Sequence, residues 1–233
     1  MSIISTPQEV TYTKGKDNSG IIEVLGCYPN YGATVGNSIR RVLLSSIEGV
    51  AVTAVKIKGV AHEFSAIDGV MEDVVQIILN LKQVRFRVHT DELIKISLKV
   101  KGERDVTATD IETSADVEIV NAKQHIATIT DKKTELEMEI VLEKGIGYVP
   151  VEQQENREKD LGLIAIDAVY TPVKRVNYKV ENMRVGKRTD YEKVVLEIVT
   201  DGSLTPKEAF DKSVDILVEQ FQSLTLDKKE SVK

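Results

Sequence analysis

The sequence of 233 residues contains little of what disulfide frameworks, metal sites and membrane anchors require. Its single cysteine, Cys27, excludes an intrachain disulfide and a cysteine-based metal site, and fits a reducing compartment. The three histidines, His62, His89 and His125, lack the spacing of a metal-binding pair, so we interpret them as structural. No apolar run approaches the ~20 residues that span a bilayer, and the N-terminus lacks a signal-peptide pattern. We expect a cytoplasmic protein without metal, cofactor or membrane contact.

Positive charge is also scarce. The chain has 31 lysines and arginines against 37 acidic residues, which gives a formal net charge of −6. Proteins that bind nucleic acid through their own surface concentrate positive charge to neutralise phosphates. We therefore expect no specific DNA binding by this chain. The hydrophobic content of 42% is enough for a proper core, and the length suits one large or two small domains.

Recognisable catalytic motifs are missing as well. The segment from Gly32 to Ser38 superficially resembles a phosphate-binding loop, but its glycines are one residue too close and Asn37 occupies the lysine position. Because glycine inside a helix costs about 1 kcal/mol, we attribute Gly36 to the close approach of another backbone. No Ser-His-Asp or Cys-His arrangement follows from the spacing, so we predict no catalytic residues.

What the sequence does contain is a periodic hydrophobic pattern typical of an α+β protein with a β-rich middle. The pattern predicts outer strands at 9–14, 20–25, 163–169, 175–181 and 191–200, alternating strands between 50 and 142, and helices at 34–48, 70–82 and after 204. Asp68 is the expected N-cap of the second helix. The charged run at 152–160 predicts a solvated surface loop.

The first helix is expected to have two different faces. One arc has the spacing of a helix lying on a core, and its members are Val35, Ile39, Val42, Leu43, Ser46 and Ile47. A second stripe lies nearly opposite and is formed by Asn37, Arg41, Leu44 and Glu48. We call it the outer stripe. This stripe places an apolar residue among polar ones where solvent is expected. We therefore predict that the outer stripe meets a partner.

The last helix begins with a capping box from Thr205 to Glu208 and has Pro206 at its first position. It carries an apolar seam with the 4, 3, 4, 3 spacing of a coiled coil, formed by Phe210, Val214, Leu217, Phe221 and Leu224. Burying these side chains would contribute about 10 kcal/mol per helix before the association entropy is subtracted. Two partners remain open: a second copy of the chain, or the first helix of the same domain.

Several segments carry a resemblance to a known family. The residues T-V-G-N-S-I-R-R-V-L-L-S-S-I-E-G-V-A-V at 34–52 resemble the assembly helix of bacterial RNA polymerase alpha subunits, in their N-terminal domain. Further matches cover nearly the whole chain: G-V-A-H-E-F at 59–64, E-D-V-V-Q-I-I-L-N-L-K at 72–82, G-Y-V-P at 147–150, D-A-V-Y-T-P-V at 167–173, R-V-G-K-R-T-D-Y at 184–191 and L-T-P-K-E-A at 204–209. The resemblance implies a discontinuous dimerisation domain at 1–49 and 172–233, an antiparallel sheet plus two helices, with an inserted β-rich domain at 50–171.

The resemblance also implies a function in DNA-templated transcription. The chain would be a non-catalytic homodimeric scaffold, cytoplasmic and nucleoid-associated as part of the polymerase, that binds the beta and beta-prime subunits during core assembly. The implied dimer interface consists of Val35, Ile39, Val42, Leu43, Phe210, Val214, Leu217, Phe221 and Leu224. The implied large-subunit contacts are Asn37, Arg41, Leu44, Lys82, Ile166 and Asp167.

Some alternatives stay open. The basic loop with Arg184, Lys187 and Arg188 would belong to the beta-prime contact or be an ordinary solvated loop. Full-length members of the family carry a C-terminal DNA- and activator-binding domain, and this sequence ends at Lys233 before one, so we expect no activator contacts. The rival hypothesis is a small-molecule enzyme with a pocket in the β-rich middle, which would need convergent polar residues with shifted pKa values.

Overall fold

The structure is a computed structural model, and it describes residues 4–154 and 162–225. The chain divides into two compact units. The split unit consists of Met1–Ile47 together with Pro172–Lys233, and the inserted unit is Glu48–Thr171. Three α-helices and mostly antiparallel sheets occur in the described residues, which confirms the α+β class.

The elements follow one another in chain order as β1 (Glu9–Lys14), β2 (Ser19–Cys27), α1 (Gly32–Ser45), β3 (Glu48–Ile57), α2 (Val74–Leu81), β4 (Phe86–Val88), β5 (Ile94–Lys101), β6 (Arg104–Thr107), β7 (Ile111–Glu112), β8 (Val117–Ile119), β9 (His125–Ile129), β10 (Glu135–Ile146), β11 (Tyr148–Val149), β12 (Leu163–Ala165), β13 (Ala168–Val169), β14 (Val173–Val185), β15 (Arg188–Thr200) and α3 (Pro206–Ser223). Short 3-10 helices cover Ala108–Asp110 and Val151–Gln153.

The split unit is a four-stranded antiparallel sheet in the order β1-β2-β15-β14, with α1 and α3 packed against it and against each other. Alternate residues of the inner strands point into one core, and they include Ile22, Val24, Val194, Leu196 and Ile198. The helices add Ile39, Leu43, Ala209 and Phe210 to that core. The long β14–β15 hairpin therefore provides the platform for α1, and α3 lies beside it on β2 and β15.

Helix α1 begins two residues earlier and ends three residues earlier than the periodicity predicts. Ser46 is the C-cap, and its backbone N–H donates to the carbonyl of Val42. Glu48 is already the first residue of strand β3, where it pairs with Ile146 of β10. The expected place of Glu48 on the outer stripe is therefore wrong, and the stripe on the helix consists of Asn37, Arg41 and Leu44.

The inserted unit is built around a five-stranded antiparallel sheet in the order β12-β3-β10-β5-β7. Three two-stranded ladders surround it: β11-β13, β4-β8 and β6-β9. Strand β10 lies at its centre, and its inward side chains are Leu136, Met138, Ile140 and Leu142. Helix α2 closes the core through Val74, Ile77 and Leu81, which are fully buried.

The second helix starts later than predicted. Its N-cap is Asp73, whose carboxylate accepts from the N–H of Gln76 at 2.7 Å, so the assignment of Asp68 as the cap is wrong. The residues before Asp73 are held by strand β9 instead: Val70 forms a β-bridge with Ile129, and the N–H of Met71 donates to the carbonyl of Thr128. These long-range backbone bonds prevent a helical conformation there.

One predicted strand is divided in two. The chain from Leu163 to Val169 forms β12, which pairs with β3, and then β13, which pairs with β11. Ile166 and Asp167 lie at the switch between these two partners. Most of the charged run predicted as a solvated loop, from 155 to 160, lies outside the described residues.

Gly36 permits a close approach, but by side chains and not by the backbone that we expected. A Cβ atom at this position would lie 2.7 Å from Cδ2 of Tyr178 and 3.1 Å from Cγ1 of Val194. Tyr178 lies on β14 and Val194 on β15, so the absence of a side chain lets α1 rest directly on the hairpin.

We expect Gly36→Ala to destabilise the split unit. Alanine raises the helix propensity by about 1 kcal/mol, but displacing the Tyr178 ring and Val194 costs about 1–3 kcal/mol, so the melting temperature should fall. Calorimetry measures it, with Thr34→Ala at an exposed position of the same helix as the control that keeps or raises the melting temperature. A Gly36→Ala protein that melts at or above the wild type would contradict the packing described for α1.

Candidate interaction surfaces

The outer stripe of α1 offers polar groups to solvent. Asn37 and Arg41 are exposed, and the guanidinium of Arg41 has no hydrogen-bond or ion-pair partner within residues 4–154 and 162–225. Leu44 is half-buried and packs against the core of its own unit. The structure thus places Asn37 and Arg41 on an accessible surface, and Leu44 at the edge of that surface.

The two neighbouring arginines of α1 have different environments. The Nε of Arg40 donates to the carbonyl of Val176 on β14 at 3.3 Å, and its side chain is partly buried. Arg41 lies about 100° further round the helix and points away from the sheet. Only Arg41 therefore presents a free planar group of donors to a partner.

The predicted dimer residues fall into two groups. Ile39 and Leu43 are 5% and 0% exposed and Phe210 is 8% exposed, because these side chains build the core between α1, α3 and the sheet. Val35, Val214 and Leu217 are half-buried against the same core, and Val42 is half-buried. The first part of the apolar seam thus packs within its own unit, which was one of the two alternatives left open.

The second part of the apolar seam is uncovered. Phe221 is 64% exposed and Leu224 is 73% exposed, and Val218 beside them is 47% exposed. Three apolar side chains in two successive turns of one helix therefore lie in solvent. Contiguous apolar surface of this kind marks a contact site more often than isolated exposed residues do.

In the inserted unit, the structure brings Lys82, Ile166 and Asp167 together at one groove of about 210 Å³. Helix α2 supplies one wall, and the segment joining β12 to β13 supplies the other. The remaining lining residues are Glu63, Val75, Ile78, Leu79, Val151, Ile164 and Ala165. Ile166 itself is 3% exposed, so its side chain belongs to the core and only its surroundings are accessible.

Hydrogen bonds between side chains and the backbone hold the second wall of this groove. The carboxylate of Asp167 accepts from the N–H of Val151 at 3.0 Å, and the side-chain amide of Gln154 donates to the carbonyl of Ile166 at 2.9 Å. These bonds join the segment before β12 to the segment after it. The groove is therefore a preformed surface.

Sequence reasoning missed several exposed residues next to the groove. Leu79 is 49% exposed and Val151 is 37% exposed, both on its lining. Tyr148 and Val169 face each other across the β11-β13 ladder and are 58% and 48% exposed. The periodicity could not have identified Tyr148 and Val169, because strands of two residues are too short for an alternating pattern to show which side is buried. Leu79 lies outside the buried face that the periodicity predicts for the second helix.

A half-buried carboxylate, that of Glu72, supports the start of α2. Glu72 accepts from the N–H of Thr128 at 2.7 Å and pairs with Nε2 of His125 at 2.8 Å. Burial works to raise the pKa of Glu72, but the hydrogen bonds with His125 and Thr128 together outweigh it and lower the pKa below its ordinary value. The ionised carboxylate thus ties the first residues of the α2 wall to strand β9.

This depressed pKa predicts a pH dependence. Because Glu72 ionises more readily in the folded state, its stabilising contribution is present above the ordinary glutamate pKa of about 4.3 and is lost as pH falls through the lower folded value. Denaturant unfolding between pH 6 and pH 3 should therefore show a free energy that falls more steeply for the wild type than for Glu72→Gln. The exposed Glu103→Gln serves as control and should parallel the wild type. Parallel curves for Glu72→Gln would contradict this role.

The described part of the β-rich unit also has a charged concavity on its sheet. Its outer sheet face forms an open concavity of about 530 Å³, whose charged lining includes Lys56, Lys58, Glu137 and Glu139. Lys58 pairs with Glu137 at 2.7 Å, and this hydrogen bond lowers the pKa of Glu137 as in an ordinary ion pair. No cluster of three or more His, Cys, Asp or Glu suited to a metal occurs in the part of the chain that the structure describes.

No helix among the described residues is long and apolar enough to cross a membrane. Exposed or unpaired groups occur on the outer stripe of α1, at the end of α3 and in the α2 groove. The described residues define the class of α+β proteins in which a β-rich unit interrupts a split unit.

Comparison with known proteins identifies the family within that class. The profile of the RNA polymerase Rpb3/RpoA insert domain matches residues 55–171. The DNA-directed RNA polymerase subunit alpha of Symbiobacterium thermophilum is 48% identical, over 95% of this chain and 71% of its own length. The alpha subunits of Aquifex aeolicus and Cytophaga hutchinsonii are 47% and 46% identical, over 94% and 95% of this chain and 69% and 68% of theirs. The chain belongs to the family of bacterial RNA polymerase alpha subunits, which are structural and non-catalytic.

Proposed function

We propose that this protein is a homodimeric scaffold that nucleates assembly of the bacterial RNA polymerase core by binding the beta and beta-prime subunits, in the cytoplasm and, within the polymerase, at the nucleoid. The observation that carries the proposal is Arg41, an exposed guanidinium on a helix whose opposite face is fixed in its own core. Arginine is enriched where a few residues dominate a protein interface.

The outer stripe is the proposed contact with the larger subunits, chiefly beta. Arg41 supplies several donors in a rigid plane that match carboxylates or backbone carbonyls, and Asn37 one turn earlier supplies both a donor and an acceptor. Leu44 at the edge of the stripe adds apolar area. Because α1 is already packed on its sheet, such a contact loses little conformational entropy on binding.

The α2 groove is the proposed second contact, in the inserted unit. The ammonium of Lys82 has no ion-pair partner within the described residues, and Leu79 and Val151 offer apolar area on the lining of the same groove. Interfaces typically combine such an apolar centre with a polar rim. In the basic loop, Arg188 is already held within its own unit: its guanidinium donates to Asp190 and lies over the rings of Tyr28 and Tyr191.

A second copy of the chain is the proposed partner of the α3 end. A two-fold axis brings the same surface of both copies together, so Val218, Phe221 and Leu224 would each be buried twice. Burial stabilises by roughly 1.5–3 kcal/mol for each fully covered side chain, which is enough to offset a substantial part of the association entropy. On this proposal residues 1–49 and 172–233 form the dimerisation domain and 50–171 the inserted domain, joints that lie close to the borders of the compact units.

Arg41→Ala should abolish capture of the beta subunit while fold and dimer persist. The side chain is exposed and unpaired within the described residues, so melting should change little, whereas truncating an interface arginine commonly costs about 2 kcal/mol or more. Co-purification with tagged beta measures capture and light scattering measures the dimer. Arg175→Ala, an exposed arginine on β14, is the control that should capture beta normally. Wild-type capture by Arg41→Ala would exclude the outer stripe as the binding surface.

Phe221→Glu should give a folded monomer. The side chain lies outside the protomer core, so the fold should survive, but a dimer would have to bury two carboxylates near its axis at a cost of several kcal/mol. Sedimentation at micromolar concentration measures the state. Gln222→Glu adds the same charge at the next position and should remain dimeric if the seam, and not the helix as a whole, forms the interface. A monomeric wild type or a fully dimeric Phe221→Glu would refute the assignment.

A further inference from the structure

One face of α1 is anchored to the β14–β15 hairpin at three successive turns. Gly32, Gly36 and Arg40 follow one another at intervals of four residues, so they lie on the same face of the helix. A Cβ atom on Gly32 would lie 2.8 Å from Oε2 of Glu192 and 2.8 Å from Cγ1 of Val180. The middle residue of the three rests against Tyr178, as described above.

The first anchor is a carboxylate supplied by another strand. The N-cap residue of α1, Tyr31, has helical dihedral angles and no side-chain capping bond, and the first turn contains no acidic residue. Instead, the N–H of Gly32 donates to Oε2 of Glu192 on β15 at 2.7 Å. A negative charge at this end also interacts favourably with the helix dipole.

The second anchor lies two turns further along. Nε of Arg40 donates to the carbonyl of Val176, which is on β14 and not on β15. Eight residues of helix separate the two anchors by about 12 Å along the axis. Two polar contacts at that separation, on two different strands, restrict both the tilt of α1 and its rotation about its own axis.

We propose that Glu192 and Arg40 are positioning residues for subunit assembly: they fix the rotation of α1 and thereby direct Asn37 and Arg41 away from the sheet. This inference rests on the proposed function of the outer stripe. Arg40 and Arg41 then act as a pair with divided roles, one holding the helix and one contacting the partner. A rotation of α1 by even a fraction of a turn would move the guanidinium of Arg41 toward the hairpin.

The experiment compares Glu192→Ala, Glu192→Gln and Arg40→Met with Glu197→Gln. Glu197 is exposed on the same strand, and its side chain lies on the opposite face of the sheet from Glu192, so it is a matched control. Capture of purified beta subunit is titrated at a temperature at which every variant is folded and dimeric. NMR of the Gly32 amide proton reports separately on its hydrogen bond, since loss of a carboxylate acceptor shifts the resonance upfield.

Glu192→Ala should shift the Gly32 resonance and weaken beta capture at least about tenfold, although Arg41 is intact. Glu192→Gln retains an acceptor oxygen and should recover part of the affinity. Arg40→Met should weaken capture without moving the Gly32 resonance. The control Glu197→Gln should match the wild type. If Glu192→Ala does not fold, Glu192→Gln, which preserves side-chain length, and Arg40→Met, which retains the unbranched chain as far as the position of Nε, decide the question.

The outcomes separate the two proposals. Wild-type protein that fails to capture beta would overturn the proposed function and this inference with it. Wild-type protein that captures beta, together with Glu192 and Arg40 variants that capture it equally well, would overturn only the positioning role. Loss of capture that merely follows a lower melting temperature and is not recovered by Glu192→Gln would also count against it.

Discussion

The contact between α1 and the β14–β15 hairpin is the constraint on which the rest of this structure depends. Two glycines of the helix permit this contact: Gly32 lies against Val180 and Glu192, and Gly36 lies against Tyr178 and Val194. Because this face of α1 is packed against the hairpin, the residues on the opposite face of the helix point toward solvent. The free guanidinium of Arg41 is a consequence of how closely the other side of the helix is packed.

The exposure of α3 follows from the same packing. Its first half fills the core beside α1 with Ala209 and Phe210, and its second half extends past the residues that could cover it. The seam therefore has two different environments along its length. The buried part stabilises the protomer, and the uncovered part is the surface that we propose for association, so substitutions at Phe210 and Phe221 should have different effects.

In the inserted unit, long-range strand pairing shapes the groove beside α2. Val70 and Met71 are drawn into contact with β9, so α2 starts only at Val74, and the chain changes partner strands at Ile166 and Asp167. Both features place backbone and side chains along the same groove. Neither could be predicted from local propensity, because the competing interactions come from residues far away in the sequence.

The sequence by itself determined the α+β class, the alternation of the long strands, the capping box of α3 and the two-faced character of α1, since these depend on periodicity and local capping. Only the tertiary structure decided that Glu48 leaves the helix, that Ile39, Leu43 and Phe210 are already buried within one protomer, and that Lys82 and Asp167 line the same groove. The reason is physical: periodicity shows which residues need burial, but only packing shows what buries them. An apolar seam has the same spacing whether it meets its own domain or a second copy.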